Sequence, residues 1–123
     1  MSTHTQLIVQ ASSVLQEFRT PQPQAEAEFL LAAAEGVTRT HVLAFGGQEV
    51  GTEDEQKFWQ FIEQKKRGVP VAYITGESDF GGLILKSDPR ALAPRPETEE
   101  LAQYCANLFE RGANPDILDL CTG

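Results

Sequence analysis

Along the first two-thirds of the chain, apolar residues recur at spacings of three and four. After Gly68 the pattern changes to short β-branched and aromatic runs. Leu7, Ala11, Val14, Leu15 and Phe18 define one helical face. The segment Arg19-Thr20-Pro21-Gln22-Pro23 interrupts it, because proline cannot continue the hydrogen-bond ladder. A second helix is predicted from about Gln24 to Glu35, with Phe29, Leu30, Ala33 and Ala34 as its apolar side and Gly36 as its stop. Thr38 suits the N-cap of a short third helix through His41, Val42 and Phe45, closed by Gly46-Gly47. Thr52-Glu53-Asp54-Glu55 reads as a capping box that opens a fourth helix. Acids crowd the start of that helix and Lys65, Lys66 and Arg67 its end, as its dipole favours. Phe58, Phe61, Ile62 and Trp59 supply its core stripe.

Two short runs follow, Val69 to Gly76 and Phe80 to Leu85, split by Gly76 to Asp79, and this spacing predicts a β-hairpin. Beyond Asp88-Pro89, the stretch Pro94-Arg95-Pro96-Glu97-Thr98-Glu99-Glu100 places prolines and then acids before a new helix. Leu101, Tyr104, Cys105, Leu108 and Phe109 form its apolar face, and Arg111-Gly112 ends it. Asp116-Ile117-Leu118-Asp119-Leu120 reads as a short strand before the turn Cys121-Thr122-Gly123. A helix, a strand and a glycine-containing turn in that order open many nucleotide-binding α/β domains. The fold class expected is α+β: an N-terminal helical bundle (residues 1–68), a β-hairpin connector (69–88), then the first helix and strand of an α/β domain (89–123).

Composition narrows the function without naming it. Apolar residues make up 41% of the 123 residues and charged residues 23%, as in an ordinary globular domain. Ten Lys and Arg face eighteen Asp and Glu, a net charge of −8, which argues against a broad nucleic-acid footprint. Phe29 to Ala34 is too short an apolar stretch to span a bilayer, and Met1-Ser2-Thr3-His4 does not open a secretory signal. Cys105 and Cys121 are too few to staple a scaffold and form no metal-type pair, so a reducing cytoplasm is the expectation. His4 and His41 are isolated and carry no assigned chemistry.

Three stretches resemble a known family. Arg67-Gly68-Val69-Pro70-Val71-Ala72-Tyr73-Ile74-Thr75-Gly76, with Phe80 after it, is similar to the R-x-G-x-P-x-x-Y-I-x-G…F stretch of the HemK/PrmC-type glutamine methyltransferases. Pro94-Arg95-Pro96-Glu97-Thr98-Glu99 resembles the family's I-P-R-P-E-T-E, with Ala93 where a larger aliphatic is usual. Leu118-Asp119-Leu120-Cys121-Thr122-Gly123 resembles L-D-L-G-T-G, with Cys121 in a glycine position. The P-R-P-E-T-E form favours the release-factor branch over the enzymes that methylate a ribosomal-protein glutamine. The family's catalytic N-P-P-Y signature follows these motifs, and Asn-Pro-Pro-Tyr does not occur in this sequence. The resemblance therefore implies the N-terminal portion of a larger enzyme, cut within its first nucleotide-binding loop.

The resemblance further implies a Rossmann-like domain that uses S-adenosylmethionine (SAM) and methylates the glutamine of the Gly-Gly-Gln tripeptide in class 1 peptide chain release factors. No catalytic residue is expected in this stretch. By resemblance, Asp119, Leu120, Cys121, Thr122 and Gly123 form the first SAM-binding loop, where a carboxylate at a strand end can take an ammonium group and glycine admits a close ligand. Arg95, Glu97 and Thr98 are candidates for the cofactor or substrate entrance. Their plain alternative is a helix start with acids suited to its dipole. Tyr73 and Phe80 are expected to pack the hairpin. Gly46-Gly47-Gln48 spells the substrate tripeptide, and a helix stop accounts for it. The competing reading is a non-enzymatic helical binding module.

Overall fold

A computed structural model describes residues 1–122. It contains α1 (His4–Glu17), α2 (Pro23–Glu35), α3 (Arg39–Ala44), α4 (Thr52–Lys66), α5 (Val71–Thr75), β1 (Glu77–Phe80), β2 (Leu83–Lys86) and α6 (Pro96–Asn107). The α+β reading holds: a helical bundle leads into an antiparallel hairpin and then a further helix.

The first five helices share one core. Leu7, Ala11 and Leu15 of α1 meet Ala27, Leu30, Leu31 and Ala34 of α2, with Phe58 and Ile62 of α4 beside them. Two faces sit differently from the expected ones. On α2 the core side is Ala27, Leu30, Leu31 and Ala34, while Phe29 is about half exposed under the Arg39 guanidinium, 4.9 Å from its ring centroid. Phe18 caps α1 and stays half exposed, with Lys66 Nζ over its ring.

Each helix terminus has a local cause. Thr38 Oγ1 accepts the His41 amide at 3.2 Å and starts α3 as expected. Gly36 ends α2 in the left-handed region at φ 70°, where glycine carries no Cβ penalty. The expected capping box at Thr52 does not form. Gly51 is the N-cap, so Thr52 is already helical and has no cap bond to give, and Glu55 Oε1 instead takes the Ser2 hydroxyl at 3.1 Å. The true capping box opens α1, where Thr3 Oγ1 accepts the Gln6 amide and Gln6 Oε1 accepts the Thr3 amide.

Gly46-Gly47-Gln48 has a structural use beyond stopping α3. The Gly46 carbonyl accepts the Thr5 amide at 2.9 Å and the Gln48 carbonyl the His4 amide at 3.0 Å, so this loop satisfies donors that a helix start leaves free. The approach is close enough that a Cβ on Gly46 would lie 2.5 Å from Thr5 Oγ1.

The hairpin sits later in the sequence than expected. Val71–Thr75 is the short helix α5 rather than a strand, because Pro70 supplies its N-cap and Ile74 turns into the bundle core with Val71 against it. Burial against α2 and α4 outweighs the β-propensity of Val-Ala-Tyr-Ile here. β1 pairs β2 antiparallel, Glu77 opposite Lys86 and Phe80 opposite Leu83, across a two-residue turn of Gly81 (φ 60°) and Gly82 (φ 86°). Positive φ at both centres is the demand of a tight primed hairpin turn, and glycine meets it freely. The expected strand Asp116–Leu120 does not form. A parallel strand exists only through a neighbour's ladder, and among the described residues nothing pairs with this segment.

Candidate functional site

The sequence-predicted site residues gather in the second half, on and after a strap that joins β2 to α6. The strap is held from the bundle side, where the Tyr73 hydroxyl donates to the Ala91 carbonyl. Tyr73 thus has a hydrogen-bonding role beyond packing. At the foot of the hairpin the Ser87 amide donates to the Gly76 carbonyl at 2.8 Å, and the Ser78 and Ser87 hydroxyls are 2.6 Å apart. Within the strap Arg90 forks onto Asp88, Nε to Oδ1 at 2.9 Å and Nη2 to Oδ2 at 2.7 Å, and the Arg90 amide adds a third donor at 3.0 Å. These bonds, the side-chain ones foremost, favour the ionised carboxylate and hold the Asp88 carboxyl at about 2, below its ordinary value.

Arg95 is the N-cap of α6, and its carbonyl accepts the Thr98 and Glu99 amides at 3.1 and 3.2 Å. The side chains of Arg95, Glu97 and Thr98 are exposed, and no side-chain hydrogen bond or ion pair among the described residues engages them. The next acid is engaged: Glu99 Oε1 accepts the Gly81 amide at 2.9 Å, tying α6 to the hairpin turn. A cavity of about 430 Å³ lies beside the strap, bounded by Leu85, Lys86, Asp88, Arg90, Leu92 and Pro94. A larger surface depression of about 620 Å³ runs along α4 beside Trp59 and is lined by none of these groups.

Asp119, Leu120, Cys121 and Thr122 lie in an irregular, exposed stretch; Gly123 lies outside the described residues. Cys121 has φ 60°, in the left-handed region. That is the conformation glycine adopts without a Cβ clash, so the backbone at this position has the form of a glycine turn although a thiol occupies it. The residues present suit a SAM site in kind: a carboxylate that engages no hydrogen bond or ion pair among the described residues, followed by a left-handed turn. The structure joins this stretch to Arg95, Glu97 or Thr98 by no hydrogen bond among the described residues.

Sequence reasoning missed two buried polar clusters in the bundle. His4 is fully buried, with Nδ1 2.8 Å from the Phe45 carbonyl and Nε2 2.8 Å from Glu35 Oε2. A carbonyl only accepts, so Nδ1 is the donor to Phe45. Glu28, also buried, accepts from Arg39 Nε at 2.8 Å on one oxygen, with Arg39 Nη2 2.7 Å from that oxygen as an ion pair, and from Gln24 Nε2 at 2.9 Å on the other. The partners of His4 are 31 and 41 residues away, where no local spacing marks them, and Arg39 is 11 residues from Glu28; Gln24, four residues before Glu28 on the same helix, is the one partner a local spacing could have suggested. Both clusters hold the bundle together; the Glu28 cluster also borders a surface depression of about 330 Å³, which Gln24, Glu28 and the 42% exposed Arg39 help to line.

A family model described as the PrmC N-terminal domain matches residues 6–76, the span from α1 through the end of α5. The chain belongs to the PrmC N-terminal domain family. The family match ends at Gly76, where α5 gives way to the hairpin. A relative from Deinococcus radiodurans, named release factor glutamine methyltransferase, is 40% identical over 117 residues, covering 95% of this chain and 42% of its own length. A relative of the same name from Bifidobacterium longum is 36% identical, covering 97% of this chain and 42% of its own. One from Escherichia coli is 39% identical over 102 residues, covering 82% and 36%. The chain thus spans about two-fifths of the length of these relatives. Among the described residues no helix is long and apolar enough to cross a membrane.

Proposed function

We propose that this chain is the N-terminal portion of a peptide chain release factor N5-glutamine methyltransferase, which moves a methyl group from SAM to the glutamine of the release factor's Gly-Gly-Gln tripeptide. The observation that carries this reading is the match to relatives of that name, which runs through the PrmC N-terminal bundle and on past it. The proposed division is a helical substrate-recognition domain over 1–68, the connector over 69–88 and the start of a Rossmann-like methyltransferase domain from 89. The proposed setting is the cytoplasm, where release factors work. The proposed partner is the release factor itself, with no direct nucleic-acid contact, a reading supported by the net charge of −8.

An amide nitrogen is a poor nucleophile, so the reaction depends on holding nitrogen, methyl carbon and leaving sulfur in line. SAM supplies the activated methyl when bound. The proposed contribution of this stretch is to bind: Asp119 takes the cofactor's ammonium group, and the backbone of Leu120, Cys121, Thr122 and Gly123 shapes the loop around it. Arg95, Glu97 and Thr98 stand at the proposed entrance. The groups that align the glutamine amide lie outside this stretch, so the 123 residues alone bind without turning over.

The test uses the chain joined to the rest of its coding sequence, a release factor and isotopically labelled SAM. Label on the Gly-Gly-Gln peptide, seen by mass spectrometry, is the expected result. Label on a ribosomal-protein glutamine instead, or label released by the 123-residue chain alone, overturns the reading. In the complete protein Asp119→Ala weakens SAM binding by about ten- to a hundredfold, the loss of one charge-assisted hydrogen bond. The apo melting temperature stays near wild type; unchanged SAM affinity with a lowered melting temperature would make Asp119 a scaffold residue.

A further inference from the structure

α6 has no buried residue, and it makes no substantial packing contact with another element. Its orientation must therefore come from something other than a hydrophobic face. The least exposed residue of α6 is Glu99. Its Oε1 accepts the Gly81 amide at 2.9 Å. One helical turn later, Gln103 Nε2 lies 3.8 Å from where a Cβ on Gly81 would be. Residues four apart share a helix face, so Glu99 and Gln103 together define the side of α6 that meets the hairpin tip.

The tip is built to receive a carboxylate. With φ positive at both Gly81 and Gly82, two adjacent amides are presented, and two acids divide them: Gly82 donates to Asp79 Oδ1 at 2.9 Å and Gly81 to Glu99. The far end of the hairpin is anchored to the bundle through Gly76 and Ser87, and α5, which leads into β1, packs on α2 and α4. A continuous connection runs from the bundle core through α5, the hairpin and Glu99 to α6.

We propose that Glu99 is a positioning residue: by accepting the Gly81 amide it fixes the helix start bearing Arg95, Glu97 and Thr98 relative to the helical bundle. The hairpin is the splint and Glu99 its fastening. Glu97 and Glu100, on other faces of the same turn, cannot substitute. The effect on turnover rests on the methyltransferase reading, whereas the effect on helix orientation does not.

The test therefore has two arms. In the 123-residue chain, NMR follows exchange of the Gly81 amide and residual dipolar couplings of the α6 and bundle amides. In wild type the two sets of couplings fit one alignment frame. In Glu99→Ala, Gly81 exchanges on the order of two- to tenfold faster, the range expected for one lost hydrogen bond, and the α6 couplings average away from the bundle frame. Glu99→Gln keeps an acceptor oxygen and restores both, and Glu100→Ala changes neither. Gly81 exchange unaltered in Glu99→Ala, or couplings that still share one frame, overturns the proposal. In the complete protein, Glu99→Ala lowers kcat/KM for the release factor at unchanged SAM affinity, and Glu99→Gln recovers it. Normal turnover with the helix demonstrably released would refute the functional consequence. A wild-type protein that methylates no release factor would overturn the proposed reaction and leave the first arm to decide the splint.

Discussion

Arg39→Ala should destabilise the bundle more than Glu28→Ala, although the two changes break the same ion pair. The asymmetry follows from where each charge is left. The Glu28 side chain is 3% exposed and that of Arg39 42%. Deleting Arg39 removes the guanidinium hydrogen bond and its ion pair and strands a carboxylate in the core with only Gln24 for company. A charge-assisted bond contributes about 1.5–3 kcal/mol, and here the bond and the ion pair share one acceptor oxygen and are partly screened at the Arg39 end, so they count once. Adding the penalty of an uncompensated buried charge gives about 2–4 kcal/mol for Arg39→Ala. Deleting Glu28 instead releases Arg39 into water, where its charge is solvated, at about 1–2 kcal/mol for the lost bond and side-chain packing. Urea denaturation of both single variants and the double variant measures this directly, provided the slope stays constant. The double variant should resemble Glu28→Ala, because no buried charge remains once Glu28 is gone. Glu28→Ala costing more than Arg39→Ala, or the two adding without coupling, would refute the account of Glu28 as the stranded partner.

His4→Ala should cost about 2–4 kcal/mol, since it leaves Glu35 and the Phe45 carbonyl without their buried partner, and His4→Gln should recover part of that in the same urea assay. Gly46→Ala should cost about 1–3 kcal/mol, because its Cβ meets Thr5 Oγ1, and Thr5→Ala in the same chain should relieve it; a Gly46→Ala protein of full stability would show that the loop yields freely. Asp88 should titrate near pH 2 by carbonyl NMR, and Arg90→Ala should return it toward 3.8. Because its folded value is depressed, the Arg90 fork favours the folded strap above pH 3.8 and loses that influence as pH falls through 2.

Helix faces and glycine stops were legible because they are local. The Leu7-Ala11-Leu15 stripe, the Thr38 cap and the Gly36 stop each depend on successive residues three or four positions apart. The errors have a common cause, which is that tertiary contact decided them. Val71 to Thr75 has strand composition but becomes helical because Ile74 finds a place between α2 and α4. Thr52 looks like a cap from its spacing to Glu55, yet Glu55 is drawn off by Ser2, 53 residues away. Phe29 looks like core and instead lies under Arg39, because Glu28 beside it anchors that arginine. At the candidate site the sequence marked Arg95, Glu97 and Thr98, while the side chain that makes a contact is Glu99, whose partner is a backbone amide that carries no residue signature.

The two halves of the chain stand on different energetic footings. Every buried apolar residue lies between Leu7 and Ile74, inside the helical bundle. Beyond it Leu83, Ile84, Leu101, Tyr104, Leu108, Ile117, Leu118 and Leu120 are each exposed by more than half. Burying one such side chain is worth about 1.5–3 kcal/mol, so the bundle has a hydrophobic reason to fold by itself and the second half has little. What order the second half has is polar and directional: the Arg90 fork, the paired serines, Tyr73 on Ala91 and Glu99 on Gly81. Such bonds fix an orientation well and stabilise weakly, because water competes for each of them. A hairpin held this way transmits position from the bundle to the start of α6, and the stability that keeps it there resides in the bundle.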